Sequence, residues 1–463
     1  MVSAADPVRR LSFVHQWSIL GLLTVLLLVF ITPPFQVPDE PQHFFRAYQL
    51  SEGKLLAEVR GATAGGMLPS SLQELSHHFL GTSALHTDRP VRPTPLGETF
   101  AQFARPLDVE KREFIVFTGA AAYGPLAYAP QVLGLKIGTL SDASVLATFY
   151  LSRIINGLCT LALLAWALWL MPWGRELAAF AALLPMATYL YASGSPDAMI
   201  IASAYLYTAL VFNRMATDTW SHRDSALAFG CALTICMTKP VYVPLFLFGF
   251  VQILSTRRRL YILMSQGGIL LATGVVTLAW GMYAAKAIIP VPDGISIAGQ
   301  IQKILHDPFQ YLLTLGRSLL WREFYYKQIV GTLGWLSFEL PKLTYWLPAV
   351  AVVLALGGEK HSTSRQNIVF VAMTLSIIGV CVALVLTALY VSWTPVGAVV
   401  IEGVQGRYFL PLLPLGLLTV LHACGRHVLW RQSIVQAGML GLIALEAGTA
   451  LYIVATKYSV LGS

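Results

Sequence analysis

The sequence predicts an all-α polytopic membrane protein of about eleven transmembrane helices with two large outer loops, and three observations carry that expectation. Of 463 residues, 56% are apolar and only 12% charged, too few charges to clothe a soluble surface. The apolar residues gather into runs that can cross roughly 30 Å of hydrocarbon, which takes about 20 residues of helix, whereas barrel strands need half that. Arginines sit mostly in short connections between the runs, so the net charge of +8 reads as membrane orientation. Membrane lipids are expected partners and nucleic acid is not.

In chain order, spans are expected near residues 13–32, 145–171, 177–193, 197–213, 225–238, 240–255, 260–285, 342–357, 366–392, 407–424 and 432–455. With the N-terminus inside, the inner loops hold Arg9, Arg10, Arg175, Arg214, Arg223, Arg257 to Arg259, Lys360, Arg365, Arg426 and Arg431. The short outer connections hold little positive charge beyond Lys239 and Arg407. Counting 124–140 as a crossing would break this alternation, so that segment is expected outside, on or dipping into the bilayer. Arg9 and Arg10 before the first run imitate a signal peptide, but Ile31-Thr32-Pro33-Pro34 offers no small-x-small cleavage site, and the run is expected to stay as an anchor.

The whole chain, 1–463, is expected to form one membrane domain, with 33–144 and 286–341 as its outer loops. The first has apolar pieces, Phe44-Phe45, Phe114 to Phe117 and Tyr123 to Leu135, that suggest interfacial helices. The second carries Trp321, Phe324, Tyr325, Tyr326, Trp335 and Trp346, suited to the headgroup region and equally able to stack on sugar rings. The five cysteines fall in or beside apolar helices without metal-ligand spacing and read as packing residues. Neither a glycine-rich nucleotide cradle nor a zinc signature occurs, which argues against an ATP-driven pump or a Rossmann-type nucleotide-sugar enzyme.

Asp39 and Glu40 follow the first span, with His43 and Arg46 on neighbouring turns of a helix starting near Pro41. An N-cap is the simple explanation of Asp39; carboxylates at the mouth of a membrane cavity are the functional one. Arg153, with Asn156, falls one to two turns inside the second span and needs an anionic partner, either a protein carboxylate or a ligand phosphate. Lys239 reads either as a snorkelling lysine or as a cation at the outer interface. In Glu402-Gly403-Val404-Gln405-Gly406-Arg407-Tyr408 the glycines allow close backbone approach, and Arg407 can grip two phosphate oxygens. In Ser193-Gly194-Ser195-Pro196-Asp197, Ser195 is the expected N-cap.

Together PDEPQHFFRAYQLSEG (38–53), YGPLAYAP (123–130), SRIINGL (152–158), SGSPDA (193–198), KPVYVPL (239–245), GTLGWLSFELP (331–341) and EGVQGRYFLPLLP (402–414) resemble the bacterial family of predicted membrane proteins catalogued as domain of unknown function 2142. That family is similar in turn to the C-type (GT-C) glycosyltransferases, through an acidic motif after the first helix and the many-span layout. The resemblance implies an enzyme of the bacterial cytoplasmic membrane, its active site outside. It would move a sugar from a polyprenyl-phosphate donor to a cell-envelope glycan or lipid acceptor with inversion. Asp39 would be the base, oriented by Glu40 or His43. Arg407, Lys239 and Arg153 would receive the donor phosphate, in that order, and Arg46, Asp197, Tyr242, Trp335, Gln405 and Tyr408 would line the substrate site. Metal use stays open, with Asp39 and Glu40 the residues that would hold Mg or Mn. Two rivals are an envelope ligase or polymerase using a polyprenyl diphosphate, with His77, His78 and His86, and a secondary transporter. A transporter predicts inverted repeats and helices broken at the midplane, neither of which the sequence displays.

Overall fold

The computed structural model describes residues 7–80, 93–287, 295–358, 365–424 and 430–460; His86, Lys360 and Arg426 lie outside them. Among the described residues seven helices are long and apolar enough to cross a membrane: Ser12–Ile31, Val145–Leu170, Asp197–Thr217, Arg259–Ala287, Ile368–Ser392, Gly406–Cys424 and Gln432–Lys457. The chain is a mostly helical, multi-pass membrane protein, but seven runs and not eleven reach full length.

The other four runs fold as shorter or broken pieces. The run 177–193 splits into helices Arg175–Ala182 and Pro185–Tyr191, because Pro185 drives Leu184 to an extended ψ of 146°. The run 225–238 becomes the 15-residue helix His222–Cys236, about 22 Å long, which stops before Pro240. Next comes a 15-residue 3-10 helix, Pro240–Leu254. Such helices rarely exceed a turn, and here the Tyr207 hydroxyl is spliced into the ladder, donating to the Phe246 carbonyl at 2.9 Å and accepting from the Gly249 amide at 3.0 Å. At a rise of about 2.0 Å per residue it is about 30 Å long, the reach of a 20-residue α-helix. The last run is a short helical piece over Thr344–Leu356.

The interrupted helix and Asp197–Thr217 form the centre of the bundle. Every residue from Arg175 to Ala198 is buried, and Asp197–Thr217 has apolar or small neutral residues on all sides, as a fully packed helix requires. Arg259–Ala284 and Arg365–Ser392 lie at the periphery with large apolar side chains exposed, Leu271 and Leu278 among them.

The segment 33–144 departs from the expected interfacial helices. Phe114 to Val116 belong to a strand, Arg112–Val116, with Phe117 just past its end; it pairs antiparallel with Thr63–Pro69, which also pairs with Glu58–Arg60. The β-branched Ile115-Val116 pair suits a pleated surface, and alternation sends Ile115 inward while Val116 stays exposed. Phe44 and Phe45 do lie in a helix, Glu40–Ser51, but they are buried in the core and not at an interface. The segment 124–140 holds a helix Ala129–Leu140 of 12 residues, about 18 Å and too short to cross, packed along Val145–Leu170.

Candidate active site

The acidic motif is positioned by an irregular segment, 32–38, with three prolines that cannot donate backbone hydrogen bonds. Its carbonyls are taken up by side chains from distant elements. Arg153 donates to Thr32 and Pro33 at 2.8 and 3.3 Å, Trp335 to Phe35 at 3.1 Å, Tyr189 to Gln36 at 2.9 Å and Arg407 to Pro38 at 3.4 Å. Buried backbone acceptors must be satisfied, so the segment is locked in one path. That path ends with Asp39 in the left-handed region (φ 63°), a conformation Asp tolerates better than most residues.

From there the two carboxylates part. Glu40 is fully buried and clasped by Arg153, with Nε to Oε1 at 2.8 Å and the terminal nitrogen to Oε2 at 2.6 Å, while the Gly194 amide adds a bond to Oε1 at 2.9 Å. Arg153 spends its remaining donors on Val29, Thr32 and Pro33 carbonyls. Its partner is therefore a protein carboxylate, and neither Arg153 as a phosphate ligand nor Glu40 as a catalytic group fits this geometry. The same clasp excludes Asp39 and Glu40 as a shared Mg or Mn site, since their oxygens are held on different guanidinium groups, and no cluster of three metal-ligating side chains exists among the described residues.

Asp39 makes no side-chain cap of its helix. Its carboxylate, 45% exposed, pairs with Arg407, whose side chain is only 2% exposed. Arg407 also reaches Asp197 at 3.7 Å, and Asp197 holds Lys239 at 2.5 Å. The result is a chain of alternating charges, Asp39, Arg407, Asp197 and Lys239, gathered from four helix ends. Gln405 accepts from Arg407 Nε at 2.6 Å, and the Tyr408 ring lies beneath both cations, 5.0 Å from the Lys239 ammonium and 5.4 Å from the Arg407 guanidinium. Tyr242 donates to the Tyr408 carbonyl at 2.5 Å and fixes that turn. Lys239, at 15% exposure with a partner, is no snorkelling lysine. Ser195 accepts from the Asp197 amide at 3.2 Å, but the helix is capped at Pro196 with no side-chain cap bond, one residue past the expected Ser195 cap.

His43 is buried between Tyr123 and Tyr128, with Nδ1 2.8 Å from the Tyr128 hydroxyl. Burial pushes its pKa down to about 4 despite the pull of Asp39 and Asp197, so the imidazole is neutral at pH 7. Burial alone would raise the Asp39 carboxyl, but the charge of Arg407, aided by His43, outweighs it and holds Asp39 below the usual carboxylate range. Arg46 is not in the cluster: it is buried and tied to Gln49, the Leu55 carbonyl and the Tyr123 carbonyl at 2.5, 2.8 and 3.1 Å. Trp335 acts on the site through Phe35. Tyr123 and Tyr128 lie in YGPLAYAP, and their bracketing of His43, 80 and 85 residues away in the chain, has no local signal in the sequence. His77 and His78 lie apart, on helix Ser70–Leu80.

Gln405 also borders a cavity of about 410 Å³ between helix Arg322–Gly331 and the 400–405 loop. The arrangement offers one accessible carboxylate beside two positively charged groups at the mouth of a helical bundle, chemistry suited to accepting a proton next to an anionic ligand.

No curated protein and no solved structure matches the chain. A family model described as "Predicted membrane protein (DUF2142)" matches residues 22–416, from the first helix through the Arg407 turn, so this chain is a member of that family of predicted membrane proteins.

Proposed function

We propose that this protein is a membrane glycosyltransferase that moves a sugar from a polyprenyl-phosphate donor to a cell-envelope glycan or lipid. In this reading all eleven apolar runs embed in a bacterial cytoplasmic membrane, with the N-terminus inside and the Asp39 end outside. The observation that carries it is the Asp39–Arg407 pair, a half-exposed carboxylate that forgoes its helix cap and is held by a buried arginine.

The donor phosphate takes the place of Asp39 on Arg407, with Lys239 beside it. Released from its counter-ion, Asp39 becomes a stronger base at the moment the donor is seated. The acceptor hydroxyl attacks the anomeric carbon in line as its proton passes to Asp39. The bond from that carbon to the phosphate oxygen breaks, and polyprenyl phosphate departs with its charge on Arg407 and Lys239. Neutral His43, Tyr123 and Tyr128 wall the site behind Asp39, and Glu40 with Arg153 fixes the backbone that presents it.

The test is transfer of labelled hexose from short-chain polyprenyl-phosphate hexoses by the purified protein in lipid nanodiscs. Asp39→Asn is expected to lose about 10²- to 10⁴-fold in turnover. Undiminished transfer by a folded Asp39→Asn protein removes Asp39 as the base, and no transfer by wild type from any such donor removes the reading.

The transporter alternative gains one observation, the helix broken at Leu183–Pro185 in the middle of the bundle. The residues at that break, Leu183, Leu184 and Met186, are apolar and buried, while the ion pairs gather at the Asp39 end, which favours the transferase.

A further inference from the structure

Helix Arg322–Gly331 separates two cavities of opposite character. On one face Tyr326, Ile329 and Val330 help to line a space of about 340 Å³ walled by Phe180, Leu184 and Leu413, which suits hydrocarbon. On the other, Phe324, Tyr325 and Gln328 join Trp321, Gln405 and the backbone of the 400–405 loop around the cavity of about 410 Å³. Both volumes fall within the range of about 300–1,000 Å³ typical of small-molecule sites.

Among the described residues the second cavity carries no charged side chain in its wall, although Arg407 lies directly behind Gln405. Its two amides are oriented by the protein. The Gln328 carbonyl oxygen accepts from the Gly406 amide at 2.7 Å, and the Gln405 oxygen accepts from Arg407 at 2.6 Å. Each amide therefore keeps its N–H groups for a ligand. Trp321 and Phe324 remain 59% and 49% exposed, flat apolar faces beside those donors. Hydrocarbon would leave the amide donors without acceptors, and a phosphate would meet no cation among the described residues of the wall. Hydroxyl and ether oxygens over an apolar ring face satisfy both halves of the wall.

We infer that this cavity is a subsite for an uncharged sugar ring of the acceptor, stacked on Trp321 and Phe324 and hydrogen-bonded by the Gln328 and Gln405 amides. The inference rests on the glycosyltransferase reading for the word acceptor, while the binding itself is measured without turnover. Gln405 then joins the two halves of the site, since the same side chain orients Arg407 and touches the sugar.

The test titrates the full chain in nanodiscs with methyl glycosides of glucose, galactose, mannose and N-acetylglucosamine and their 1→4 disaccharides, read by isothermal titration calorimetry. At least one probe is expected to give a saturable heat that Trp321→Phe abolishes. Gln328→Glu keeps an acceptor for the Gly406 amide but removes the N–H donors, and should weaken that probe at least 10-fold in protein that still melts cooperatively. A uronic acid counterpart should bind more weakly than the neutral probe. No saturable response from any probe, or one that survives both Trp321→Phe and Gln328→Glu, overturns the subsite. Probe binding retained by a protein that transfers no sugar leaves the subsite standing and overturns the transferase.

Discussion

Arg153 and Glu40 close a fully buried ion pair from elements 113 residues apart, while Asp39, one residue before Glu40, faces the opposite way onto Arg407. Adjacent carboxylates thus have separate duties, Glu40 holding the frame and Asp39 remaining accessible within it.

Removing one partner of the buried pair should be far more damaging than removing the exposed acid. Glu40→Gln or Arg153→Met leaves an uncompensated buried charge or three orphaned carbonyls and should cost about 3–5 kcal/mol. Asp39→Asn should shift the melting temperature much less. Thermal melts of the three variants in one detergent check the order, and equal losses would show that the two carboxylates share one duty.

Acid should destabilise the fold through His43. Its pKa falls from 6.5 to about 4 in the folded protein, so below 6.5 the unfolded chain takes up a proton that the folded one refuses. Stability is therefore lost as pH drops from 6.5 to about 4, by up to about 3 kcal/mol. Asp39, held below its ordinary range, adds a loss of the same sign as it protonates at lower pH. His43→Gln should flatten the melting-temperature curve between pH 6.5 and 4, and an unchanged slope would refute this origin.

Arg407 should be sensitive to the shape of its cation. Its guanidinium serves Gln405, Pro38, Asp39 and Asp197 together, which an ammonium cannot do. Arg407→Lys is expected to weaken binding of a short-chain polyprenyl phosphate about 10-fold, and Arg407→Ala more. Affinity that survives Arg407→Ala would transfer the phosphate role to Lys239.

Gly406 sits where the backbone of the Arg407 turn meets helix Arg322–Gly331. A Cβ there would fall 2.6 Å from Gln328 Cβ and against the Tyr325 carbonyl. Gly406→Ala should cost about 1–3 kcal/mol and disturb the cavity. Gly230→Ala, with nothing within 4 Å, is the control and should not lower the melting temperature.

Glu446 lies midway along Gln432–Lys457, fully buried, and neither carboxyl oxygen has a hydrogen-bond partner among the described residues. Nothing is gained there from a charge, so Glu446→Gln should melt at or above the wild-type temperature, whereas Glu446→Lys should fail to fold. A large loss in Glu446→Gln would reveal a partner for the carboxylate.

The sequence by itself determined the membrane class, the apolar runs and the set of polar residues worth watching, because each is written in composition or in spacing of a few residues. It could not distinguish a full crossing from a run broken at Pro185 or rewound around Tyr207, since hydropathy carries no record of which side chain enters a helix ladder. Nor could it pair the charges. Arg153 accepts either a carboxylate or a phosphate as partner, and Asp39 reads equally as a cap. The partners actually chosen lie 113 residues away for Glu40 and Arg153, 368 for Asp39 and Arg407, and 42 for Asp197 and Lys239. Only the packing of the helix ends brings such groups within reach. At that range desolvation and Coulomb energy assign each acid its cation, and local propensity has no influence on the choice.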